Sequence, residues 1–117
     1  MPPRRMVERF DEVTCKSQPG QDGRTYFVVF KVDGERESFR AAMPLSRTVL
    51  STASDELGRN ATDEDWEAAV RMKIVNLVSI GFLDSWPPSQ TMLMPQIDGS
   101  ELDNLFANAK RIGLIKP

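Results

Sequence analysis

The chain has no histidine and a single cysteine, Cys15. Without histidine, the commonest general acid or base is missing, together with every Ser-His and Cys-His pairing. A lone cysteine forms no disulfide within the chain, and no second soft ligand type accompanies it for a zinc site. Cys15 reads as a small, strand-borne or buried thiol. No metal or cofactor is expected. Long apolar runs are also absent. The longest, around residues 80–83, is far short of the roughly 20 residues that cross a bilayer. The first ten residues, MPPRRMVERF, lack the apolar core of a signal peptide, so a cytoplasmic location is expected. The seven glycines never form a phosphate-binding loop, because GQDG lies between two strand-like stretches and not before a helix. No Gly-x-Ser-x-Gly elbow surrounds the serines of PLSRTVLS.

The composition that remains, 117 residues with 40% apolar and a formal net charge of −2, is that of one ordinary globular domain. Residues 1–9, with Pro2, Pro3 and three arginines, have little to bury and are expected to form a mobile arm ahead of a single domain over 10–117. Residues 6–15 alternate loosely and suggest an edge strand, and KSQPGQDGR suggests a loop. TYFVVFKV is the strongest strand signal. Asp33-Gly34 after it predicts a tight turn, with ERESFRAAM returning antiparallel. A two-residue loop sets Val28 opposite Phe39, Tyr26 opposite Ala41 and Lys31 opposite Arg36. A three-residue loop pairs Lys31 with Glu35 and Phe27 with Phe39 instead, which reverses the buried face.

From Pro44 the apolar period changes to helical through Leu45, Val49, Leu50, Ala53 and Leu57, predicting three turns that end at Gly58. Thr62 and Asp65 have capping-box spacing before a second helix from residue 63 to about Gly81. Trp66, Ala69, Val70, Ile74, Leu77 and Val78 line one side of it, while Met72, Val75 and Ile80 widen the apolar arc, so a second neighbour beyond the sheet is required. Pro87 and Pro88 stop the helix. SQTMLM reads as a short extended segment, able to add to a sheet edge. Ser100 and Asp103 then open a last helix along Leu102, Leu105, Phe106, Ala109 and Ile112, closed by Gly113 with Leu114 folding back. The fold class is α+β: an antiparallel hairpin or three-stranded meander followed by three helices, one packed across the sheet.

Three functional readings follow. The first is a small non-enzymatic interaction or adaptor module, self-associating as a homodimer. It would bind through Trp86, Met92, Leu93 and Met94, because DSWPPSQTMLMP places large apolar side chains on a stretch that prolines keep extended. The second is a single-stranded nucleic-acid or anion binder, since Phe27, Lys31, Arg36 and Arg40 gather on one hairpin face. The third is a carboxylate-dependent enzyme with a cleft near Asp84 and Asp98. The six carboxylates from Asp55 to Glu67 read as helix capping and a solvated face, because they lack the order of a calcium loop.

Overall fold

The computed structural model describes residues 7–8, 14–20, 22–32, 38–52, 54–81 and 90–115. Its elements are β1 (Val7–Glu8), β2 (Thr14–Gly20), β3 (Gly23–Val32), β4 (Phe39–Ser46), α1 (Arg47–Leu50), α2 (Asp63–Ser79), β5 (Thr91–Leu93) and α3 (Leu102–Arg111), which a 3-10 turn over Gly99–Glu101 introduces. The class is α+β, with one mixed sheet four strands wide. β1 and β2 share one edge of β3, β4 lies on its other edge, and β5 joins β4 in parallel.

β3 and β4 alternate strictly. Tyr26, Val28, Phe30 and Val32 of β3, with Phe39, Ala41, Met43 and Leu45 of β4, are buried on one face, while the residues between them look outward. β-branched and aromatic side chains at period two fit a pleat with one covered side. Tyr26, Val28, Phe39 and Ala41 share the buried face, as the two-residue-loop register predicts. The register differs from both expectations: Val28 pairs with Ala41, Tyr26 with Met43, and Phe30 with Phe39, whose rings stack at 5.9 Å. This is a shift of two residues from the two-residue-loop register, so every side chain keeps its face. It brings two phenylalanines together where the expected register offered Val28 and Phe39. The turn at Asp33-Gly34 and Arg36, the partner expected for Lys31, lie outside the described residues, and Lys31 pairs with Glu8 of β1.

Three other expectations change. KSQPGQDGR is not a loop: Lys16 to Gly20 belong to β2, paired through to Gly20 opposite Gly23. An edge strand tolerates Pro19, because its missing donor points away from β3. The same holds for Pro44 in β4, whose backbone nitrogen lies on the side that Ala42 turns to β5, as the bond from Met94 N–H to Ala42 O at 2.8 Å shows. The helix expected from Pro44 is one turn, α1, capped by Ser46 Oγ, which accepts from Val49 N–H at 3.2 Å. Leu45 instead continues the sheet's alternation into the core. The hydroxyls of Ser51 and Thr52 both donate to the Thr48 carbonyl, a local alternative to further helix. Gly58 still takes a left-handed φ of 65°, but at the end of a turn over 55–58. Val7 and Glu8, within the stretch read as an arm, pair with Val32 and Lys31 as β1, and residues 1–6 and 9 lie outside the described set.

α2 follows its prediction. Thr62 and Asp65 form a reciprocal capping box, and Trp66, Ala69, Val70, Ile74, Leu77 and Val78 are buried. The second neighbour it needs is α3, with Met94 and Ile97 of the preceding segment. Trp66 meets Phe106 edge-on at 5.7 Å, and Lys73 Nζ binds Glu101 at 2.7 Å. Ile80 remains exposed. The cap ahead of α3 lies two residues earlier than expected: Asp98, not Ser100, forms the capping box, with Glu101. Gly113, at φ 84°, ends α3 in a Schellman motif, with Leu114 N–H bonding to Ala109 O and Gly113 N–H to Lys110 O.

The β2–β3 corner is the tightest approach. A Cβ at Gly23, where φ is 148°, would overlap the Leu45 carbonyl oxygen, whereas one at Gly99 would meet nothing within 4 Å. Gly23→Ala is expected to lower unfolding free energy by about 2–4 kcal/mol. Gly99→Ala is expected to stay within about 0.5 kcal/mol of wild type. Urea denaturation of the two variants measures the contrast, and equal losses would contradict the close approach.

Candidate functional site on the outer face of the sheet

With the helix layer on one side, the odd residues of β3 and the even residues of β4 form an outer face. Two cross-strand rows lie on it. One runs from Lys16 through Phe27 and Ala42 to Leu93, the other from Val29 through Arg40 to Thr91. Side chains registered this way stand about 5 Å apart, so each row is contiguous. Phe27 is 40% exposed, Val29 39% and Leu93 72%, which makes this face the sheet's uncovered apolar surface among the described residues. Lys16, Lys31 and Arg40 are exposed around them. Glu8 of β1 registers opposite Lys31 on the same side, so the strands place three cationic residues and one acidic residue on this face. Among the described residues, the exposed carboxylates Asp55, Glu56, Asp63, Glu64, Asp98 and Asp103 belong to the helices and their connections, and Asp22 is exposed at the β2–β3 turn.

Two residue sets predicted separately thus meet. Phe27, Lys31 and Arg40 of the hairpin set share the face with Leu93 of the apolar set, because β5 aligns Leu93 with Ala42. The rest of the apolar set divides. Met94 is 3% exposed and belongs to the chain's own core, Met92 is half-buried against that core, and Trp86 lies outside the described residues. Arg36 also lies outside them. Alternation along TMLM is the reason for the split: β5 sends Met92 inward and Leu93 outward. Lys16, Val29 and Ala42 were not anticipated on this surface. Val29 was legible, since it shares parity with Phe27 and Lys31 in any register that buries Val28. Lys16 was hidden by the loop assignment of its segment.

Elsewhere the titratable groups offer little chemistry. Burial pushes the Cys15 thiol up to about 12, with Glu67 adding to the effect, so it stays a thiol at neutral pH. Burial likewise raises the Tyr26 phenol to about 12, helped by Asp63. Tyr26 Oη and Arg71 Nε are each buried without a hydrogen-bond partner. Both shifts favour the neutral form, so neither group supplies a base or a nucleophile. Asp98, placed in the carboxylate cleft by the enzymatic reading, accepts from Ser100 N–H at 3.1 Å as a cap, and Asp84 lies outside the described residues. A shallow pocket of 160 Å³ beside the β2–β3 corner is lined by Asp22, Arg24, Ser46 and Gln96 among others, with one carboxylate. Ligand pockets hold roughly 300–1,000 Å³. No group of three or more His, Cys, Asp or Glu side chains able to hold a metal occurs among the described residues, and no helix among them is long and apolar enough to cross a membrane.

No protein-family model, curated protein or solved structure matches this chain.

The start of α2 has its own electrostatic signature. Arg59 forks onto both oxygens of Asp65, one bond at 3.0 Å and a shorter one from Nη1 to Oδ2, and Thr62 N–H donates to Asp65 Oδ2 at 2.8 Å. The Arg59 guanidinium, and then the Thr62 N–H, hold the Asp65 carboxyl below the usual carboxylate range, although burial opposes them. A carboxylate depressed in the folded state stabilises fully above its unfolded value, and that stability is lost as pH falls through the folded value. Asp65→Asn is expected to cost about 1–2 kcal/mol at neutral pH. The gap to wild type should close as pH drops below about 4. Urea curves across that range test both points. A gap independent of pH would place the cost outside the ion pair.

Proposed function

We propose that this chain is a non-enzymatic interaction module that binds another protein through the outer face of its sheet. One observation carries the reading: Phe27, Ala42 and Leu93 form an apolar row across three strands, with Val29 beside it, on the side of the sheet opposite the helices. Antiparallel sheets normally turn polar side chains to water on their open side. Large apolar side chains gathered there stabilise the chain little, and their burial against a partner supplies the free energy of docking. Neither metal nor cofactor is needed in this role.

A second reading has an observation of its own. Phe27 stands among Lys16, Lys31 and Arg40, and an aromatic ring with flanking cations can stack and neutralise single-stranded nucleic acid. Self-association has weaker support than the sequence suggested. Met94 is taken up by the core, which removes one of the four expected anchors from the surface.

Capture from a lysate of the source cell, with wild type and a Phe27→Ser, Leu93→Ser variant side by side, tests the proposal. Both substitutions lie on open surface, so the variant should keep its far-ultraviolet spectrum and most of its stability. The expected outcome is a protein retained by wild type and reduced at least about tenfold by the variant, which corresponds to about 1.4 kcal/mol. Identical capture by two folded baits would end the proposal.

A further inference from the structure

We draw no further inference here: the strongest candidate, the exposed apolar patch of Phe27, Val29 and Leu93 on the outer face of the sheet, already carries the reading above, and nothing in the structure shows what covers it.

Discussion

One-sided burial is the constraint on which the rest of this molecule depends. Tyr26, Val28, Phe30 and Val32 in β3, and Phe39, Ala41, Met43 and Leu45 in β4, turn a continuous apolar surface to one side. A sheet with such a face must be covered, and the amphipathic α2 is the first element after the hairpin long enough to cover it. α2 is wider in its apolar arc than the sheet can use, so it recruits α3 through Trp66 and Phe106 and draws in Met94 and Ile97. Each element completes the burial left unfinished by the one before. Among the described residues, neither long helix lies on the outer side of the sheet.

Placement of β5 follows from the same chain of cause. Met94 is anchored in the core and its N–H bonds to Ala42 O, which pulls the three residues ahead of it alongside β4. A parallel strand of three residues contributes little by itself. Its register, however, decides that Met92 turns inward while Leu93 joins Ala42 and Phe27 on the open face. The core residue Met94 thereby positions the most exposed apolar side chain of the candidate site. A local sequence reading sees three similar residues in Met92, Leu93 and Met94, and strand alternation gives neighbours opposite roles.

What could be read from the sequence divides along physical lines. Signals carried by contiguous residues were legible: the period-two run from Tyr26 to Val32, the Thr62–Asp65 capping box, the 3.6-residue period of Leu102, Leu105, Phe106 and Ala109, and the Gly113 cap. Features decided by long-range partners were not. β2 passes through Pro19 and Gly20 because β3 offers an edge for it, and Leu45 leaves a helix-like pattern because Arg24 and Thr25 pair with its strand. The hairpin register moved by an even number of residues, so the face assignment survived and the pairing did not. The site followed the same division. Phe27, Lys31 and Arg40 were grouped correctly from parity alone, whereas Leu93 joins them only through the β4–β5 contact, which no local pattern announces.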